Sequence, residues 1–170
     1  MPPKQKPGRS KQDYRTPPEF LTAVKHLLGI KAFAFDFAAS DDDTVARKWW
    51  SALDNALSFD PKEWANVCRQ GWGWLNPPFG DIEPWVRLCR DASKRGAHIA
   101  ALLPASVGAN WFRDWVMCEA DEVLFLNGRL AFMPERPTWL YPKDCMLVLY
   151  RDCPRRSLTG FDVWDWRRQR

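Results

Sequence analysis

Histidine is scarce here, with two in 170 residues, and the five cysteines Cys68, Cys89, Cys118, Cys145 and Cys153 never fall in a C-x-x-C pair. No cluster with metal-ligand spacing can be assembled from them, so metal catalysis finds no support in the sequence. The odd cysteine count also argues against a disulfide framework, and the thiols read as reduced and mostly buried. No apolar run approaches the roughly 20 residues needed to cross a bilayer. The basic amino terminus MPPKQKPGRSKQ has no apolar segment behind it to act as a secretory signal. The expectation is a cytoplasmic protein without membrane or metal partners. No internal repeat and no separate recognition domain is visible.

What remains is the composition of one globular domain: 46% hydrophobic and 27% charged residues, in a chain long enough for a single core. Its net charge of +4 is unevenly placed. Residues 1–15 and 151–170 hold eleven Lys/Arg against four Asp/Glu, whereas the residues between hold fourteen against seventeen. Basic ends on a mildly acidic body fit contact with a polyanion such as nucleic acid; they fit solvated termini equally well. The expected organisation is a basic tail at 1–12, a folded domain at 13–152, and an Arg/Trp-rich carboxyl-terminal tail at 153–170. Eleven tryptophans exceed what a core of this size needs, and a minority could stack unpaired bases.

Local patterns give an alternating order of elements. Tyr14 to Gly29 reads as a helix with Thr16 as cap, Pro17 at the first helical position and Glu19 completing a capping box. Ala32–Ala39 (AFAFDFAA) reads as a central strand buried on both faces and carrying one conspicuous acid, Asp36. A second helix is expected from the acidic Ser40–Asp43 segment through Trp50, and a brief strand at Asn55–Phe59. Gly71–Leu75 reads as a strand broken at once by Asn76-Pro77-Pro78-Phe79-Gly80, because two prolines forbid both ladder bonds and a helix. Asp81 then caps a helix whose apolar positions Ile82, Trp85, Val86 and Cys89 keep helical spacing to Gly96. Ala97–Leu103 reads as a strand closed by Pro104. Trp111–Val116 marks a helix, Glu122–Leu126 a strand, and Cys145–Tyr150 the last strand. Strands alternating with helices imply a mainly parallel sheet covered on both faces, with ligands at the carboxyl ends of the strands.

The sharpest chemical signal is Asn76-Pro77-Pro78-Phe79 between a strand and a helix. An exocyclic adenine amine is a poor nucleophile because its lone pair is delocalised into the ring. The side-chain carbonyl of Asn76 and the backbone carbonyl of Pro77, each accepting one N–H, would make that lone pair more available. Pro77 and Pro78 stiffen the loop so that the acceptors are placed in advance, and Phe79 offers a flat face to a base. A rigid surface turn is the plain alternative for these four residues.

These residues match the [DN]-P-P-[YFW] signature of S-adenosylmethionine-dependent amino-methyltransferases, and the wider pattern resembles the phage-type DNA N-6-adenine methyltransferases, which are Dam-like. Thr16-Pro17-Pro18-Glu19-Phe20 resembles the segment that in this family borders the methionine end of the cofactor. Phe35 to Ser40 resembles the L-D-x-A-A-S strand, and Asp54-Asn55-Ala56-Leu57 the D-[DN]-[GA]-L segment. Leu102–Ala105, Trp111-Phe112 and Gly128–Phe132 follow in the family's order, so the resemblance runs from about residue 13 to about residue 150.

The resemblance implies an α/β, Rossmann-like class I methyltransferase fold in a single domain, here without the glycine-rich turn of many methyltransferases. It implies S-adenosyl-L-methionine as cofactor, touched by Thr16, Pro17, Asp36, Ala38 and Asp54, with Asn76, Pro77, Pro78 and Phe79 as the catalytic residues. The implied reaction is direct in-line transfer to the N6 amine of an adenine flipped out of double-stranded DNA, by a monomer. Thr16 to Glu19 is equally explained as a cap, and Asp36 as a capping or paired acid. Asp54 could be an ordinary loop acid, and Arg129 could meet DNA phosphate or pair structurally with an acid such as Asp121 or Glu122. His98 and His26 read as structural. Base readout is expected from Met133–Lys143 or the carboxyl-terminal arginines. Two other functions stay open: a non-catalytic, Trp-rich nucleic-acid-binding module, and an amino-methyltransferase acting on RNA or protein glutamine.

Overall fold

The computed structural model describes residues 15–40, 42–132, 140–151 and 159–168. The basic tail at 1–12, most of the Met133–Lys143 loop, Trp139 and Cys153 lie outside them.

Helix α1 spans Pro18–Leu28 and ends on Gly29, whose φ of 66° lets it close the helix in the left-handed conformation. Its N-cap is Pro17, without a side-chain cap bond, so the helix starts one residue later than expected and Thr16 does not cap it. The first strand, β1, is short, Phe35–Asp36. A 3-10 turn at Ala56–Ser58 stands where a brief strand was expected. It is followed by α2, Pro61–Val67, a helix opened by a capping box between Asp60 and Glu63 with proline at its first position. Strand β2 (Trp72–Leu75) leads through the proline corner to α3 (Glu83–Ser93). The α3 N-cap is Ile82, not Asp81, and it carries no side-chain cap bond. Strand β3 (His98–Pro104), helix α4 (Asn110–Trp115), β4 (Glu122–Leu126) and β5 (Cys145–Tyr150) fall where the pattern puts them. The sheet does not end at Tyr150: Gly160–Trp164 forms β6.

All six strands make one sheet in the order β1-β2-β3-β5-β4-β6. The pairs β1–β2, β2–β3 and β4–β6 are parallel, and β5 lies antiparallel between β3 and β4. Five strands therefore share one direction and β5 opposes them. The expected helices on both faces are present. Ile99, Ala101 and Leu103 of β3, with Met146, Val148 and Tyr150 of β5, face a core closed by α2, α3 and α4. The alternate residues Ala100, Leu102, Leu147 and Leu149 face α1 and Trp166. Burial on both faces is why β3 and β5 read as unbroken apolar runs.

The stretch read as a second helix is extended. Residues 45–50 run beside β1, where Asp36 N donates to the Lys48 carbonyl (3.0 Å), Trp50 N to the Asp36 carbonyl (3.0 Å) and Ala39 N to the Trp50 carbonyl (3.1 Å). β1 is thus the first strand in the sheet order and not a central one, and this segment satisfies its outer edge. The apolar reward that outweighs helix propensity is Trp50, whose ring stacks on Phe59 at 4.2 Å and meets Phe35 edge-on at 4.9 Å. Gly73 lets β2 approach the same cluster: a Cβ there would stand 2.4 Å from Phe37 and 2.6 Å from the Cys68 sulfur. Cys68, Cys89 and Cys145 are buried free thiols, and Cys118 is exposed. Among the described residues no helix is long and apolar enough to cross a membrane.

Candidate functional site

Parallel strands deliver their carboxyl ends to one rim of the sheet, and loops leaving neighbouring strands must diverge there. At that rim the exit of β1 (Asp36 to Ser40), the exit of β2 (Asn76 and Pro78) and the approach to α1 (Thr16) wall a cavity of about 350 Å³. Ala38, Ala52, Leu57 and Trp85 supply its accessible apolar surface, over a floor formed by the fully buried Phe37 and Trp74, and Ser51, Asn55 and Ala56 complete the wall.

Asp36 is the electrostatic centre of this wall. It is 4% exposed, and its two carboxylate oxygens accept from Val45 N (3.0 Å) and Ala38 N (3.3 Å). The Val45 bond clamps the β1 exit against the 45–50 segment, and the Ala38 bond fixes the local turn of that exit. Burial outweighs them and pushes the carboxyl up to about 6 from its ordinary 3.8, with nearby Asp43 adding to the rise. Asp43 lines the same cavity and is also raised by burial, opposed by Arg15 with its Nε 3.8 Å away. Two carboxylates on a largely apolar wall make a site that favours a cationic, partly apolar ligand.

Thr16 is buried and serves the corner, not the helix: its Oγ1 accepts from Asn76 Nδ2 at 3.2 Å, across 60 residues of sequence. The bond turns the amide end of Asn76 towards α1. Pro77 is buried behind the corner, and Pro78 shares the cavity wall with Asn76. Phe79 turns the other way. Its ring meets Phe132 and Tyr141 edge-on at 6.1 and 5.7 Å, and it lines a second cavity of about 210 Å³ with Trp111, Tyr141, Pro104, Ser106 and Lys143. The four-residue corner therefore stands between two cavities.

The structure brings Thr16, Asp36, Ala38, Asn76 and Pro78 to one cavity wall. Pro17 is buried as the α1 cap, its carbonyl accepting from Phe20 and Leu21 N–H at 3.0 and 3.1 Å. Asp54 is not on the cavity wall. Its exposed carboxylate accepts from Ser51 N (2.7 Å) and Ser51 Oγ (2.9 Å), bonds that hold it below the ordinary carboxylate range. That local loop carries Asn55, at φ 50°, and Ala56 to the wall, where the Ala56 carbonyl is fixed by Trp64 Nε1 at 3.1 Å.

Arg129 does pair with an acid, but the partner is Asp144 and neither Asp121 nor Glu122. Its Nε lies 3.5 Å from Asp144, while Asp121 is taken by Arg151. His98 is an exposed residue whose ring lies 5.3 Å from that of Trp72. No group of three His, Cys, Asp or Glu side chains among the described residues is arranged to hold a metal.

Sequence reasoning missed Asp43, Trp85 and Trp111 as cavity residues; Tyr141 and Lys143 of the second cavity belong to the Met133–Lys143 segment expected to meet bases. Asp43 sits in an acidic run that read as a helix cap, and the two tryptophans sit in helical stripes that read as core. A pattern of one residue type cannot report which cavity it faces.

A family model described as DNA N-6-adenine-methyltransferase (Dam) matches residues 4–166. A curated protein of Escherichia phage T1, named DNA N-6-adenine-methyltransferase, is 27% identical over 139 aligned residues, covering 71% of this chain and 53% of that protein. The chain thus spans about half the length of that relative.

Proposed function

The chain belongs to the DNA N-6-adenine-methyltransferase (Dam) family, and on that premise we propose that it transfers a methyl group from S-adenosyl-L-methionine to the exocyclic N6 amine of adenine in double-stranded DNA. The observation that carries this reading is the position of Asn76–Phe79 as the partition between two cavities. A two-substrate transfer needs a donor site and an acceptor site that meet at the group-orienting residues.

The residues of the larger cavity fit the donor. Its volume of about 350 Å³ lies in the range of roughly 300–1,000 Å³ usual for small-ligand sites. Asp36 and Asp43 complement a ligand that carries a sulfonium and an ammonium against one carboxylate, while Ala38, Leu57 and Trp85 offer apolar surface to its adenosyl part. Bound there, S-adenosylmethionine supplies a sulfonium-activated methyl open to direct displacement by an amine. Everything else falls to the chain. Asp36 holds the wall through Ala38 and Val45, and Thr16 keeps the Asn76 carboxamide in place. Asn76 Oδ1 and the Pro77 carbonyl accept the two N–H groups of the adenine amine, which raises its nucleophilicity. The surplus proton leaves to solvent after transfer, so no strong general base is required.

The second cavity takes the adenine. Phe79, Trp111 and Tyr141 are rings suited to a flat heterocycle. The base must leave the duplex to reach them. The sheet is read as a Rossmann-like class I methyltransferase architecture, a reading supported by the site at the carboxyl ends of parallel β1 and β2 and by helices on both faces. The acting species is proposed to be a monomer.

The test is transfer of a tritiated methyl from S-adenosylmethionine to unmethylated duplex DNA, RNA and protein in parallel. Label on adenine N6 of the duplex is the expected outcome. Label confined to RNA or protein, or no label with no thermal shift on adding the cofactor, overturns the reading.

A further inference from the structure

Strand β6 ends at Trp164, and the residues that follow it turn back onto the sheet and α1. Beside β4, Leu126 pairs with Trp164, and Asn127 N donates to the Trp164 carbonyl at 2.9 Å. Two residues on, Trp166 is buried and its ring meets Phe20 of α1 edge-on at 5.3 Å. The backbone is thereby pinned on either side of Asp165, and Arg167 leaves from that fixed point.

The Arg167 side chain is exposed yet held three ways. Its guanidinium lies against the backbone of Gly128, whose φ of 87° favours glycine and whose missing side chain leaves room for the guanidinium. Nη2 donates to the Arg129 carbonyl at 3.0 Å, and the guanidinium carbon sits 4.7 Å from the centre of the Trp166 ring. The arginines beside it have carboxylate partners: Arg168 pairs with Asp165 (3.2 Å) and Arg129 with Asp144 (3.5 Å). Among the described residues no carboxylate lies within ion-pair distance of Arg167.

An ordered cation without a counterion is prepared for an anion, because the cost of ordering it has been met before the anion arrives. One donor is used on the Arg129 carbonyl, and the fork geometry of the remaining N–H groups matches phosphate oxygens. The location also fits. Arg129 leads directly to Leu130, whose carbonyl accepts from Tyr141 N at 2.7 Å, and Tyr141 is the ring against Phe79 in the second cavity. The carboxyl ends of β3, β4 and β6 lie on the same rim of the sheet, so the Arg167 guanidinium and the acceptor cavity, which Pro104 of β3 lines, share that rim.

We propose that Arg167 is a preformed contact for a backbone phosphate of duplex DNA, placed to hold the strand beside the base delivered to the Asn76–Phe79 corner. The proposal rests on the DNA reading above. It is tested by fluorescence anisotropy with a labelled duplex across a salt series, using the full chain as wild type, Arg167→Gln and Arg167→Lys. Arg167→Gln is expected to lower affinity and to reduce the slope of log K against log salt by about 0.9, the loss of one phosphate contact. Arg167→Lys keeps the charge and is expected to retain the slope. Both variants are expected to keep the thermal shift given by S-adenosylmethionine, since the donor cavity is built from other elements. An unchanged slope in Arg167→Gln, or an equal loss in Arg167→Lys, overturns the phosphate contact. A wild-type protein that binds no duplex overturns the DNA reading itself, so the two failures are distinguishable.

Discussion

Replacing Asp36 by asparagine should remove a specific piece of the protein's pH dependence. The Asp36 carboxyl titrates at about 6 in the folded protein against an ordinary 3.8, because burial disfavours its charged form more than two backbone N–H groups favour it. The proton is therefore held more tightly by the folded chain than by the unfolded one. Below about pH 4 both states are protonated and the group costs nothing. As the pH rises through about 6 the folded state must carry a buried charge, and stability falls. At about 1.4 kcal/mol per tenfold change, the gap between 3.8 and about 6 amounts to about 3 kcal/mol of stability lost between pH 4 and pH 7.

Asparagine is nearly isosteric and does not titrate. The measurement is urea unfolding of wild type and Asp36→Asn over that pH range, since the difference between the two curves cancels other titrating groups to first order. The difference should move against wild type by up to about 3 kcal/mol on going from pH 4 to pH 7. A difference that is flat with pH refutes the buried-carboxyl argument. The same linkage bears on the cavity proposed for the donor: a cationic ligand favours the ionised carboxylate, so affinity should rise with pH up to about 6 and then level off.

Other perturbations separate the parts of the site. Asn76→Ala should lower turnover on duplex DNA by about a hundred- to a thousandfold, the usual cost of one lost electrostatic group at a reacting atom, while leaving the cofactor-induced thermal shift in place; retained turnover would remove Asn76 from the chemistry. Gly73→Ala should destabilise by about 1–3 kcal/mol through overpacking against Phe37 and Cys68, read by urea unfolding. Unchanged stability would mean that β2 has room to shift. Deleting residues 1–12, which contain Lys4, Lys6, Arg9 and Lys11, should weaken duplex binding and flatten its salt dependence; an unaltered slope would make that segment a solvated end.

The sequence by itself determined the elements whose causes are local. Two consecutive prolines after an apolar run dictate a rigid corner at Asn76–Phe79 wherever the chain goes. Helical spacing in α3, continuous apolar residues in β3 and β5, and Gly29 after α1 leave little choice of local conformation. Tertiary structure decided whatever depended on partners far along the chain. Residues 45–50 became extended because the free edge of β1 and the Phe35–Phe59 cluster rewarded that state more than a helix would. Gly160–Trp164 became a strand because β4 offered an open edge, and Trp166 found Phe20 from the other end of the chain. Thr16 exchanged a helix cap for Asn76, a partner 60 residues away. Backbone propensity acts over a few residues and can be read from them, whereas a pairing edge, a buried carboxylate or a cavity comes into being only when distant segments exclude water together.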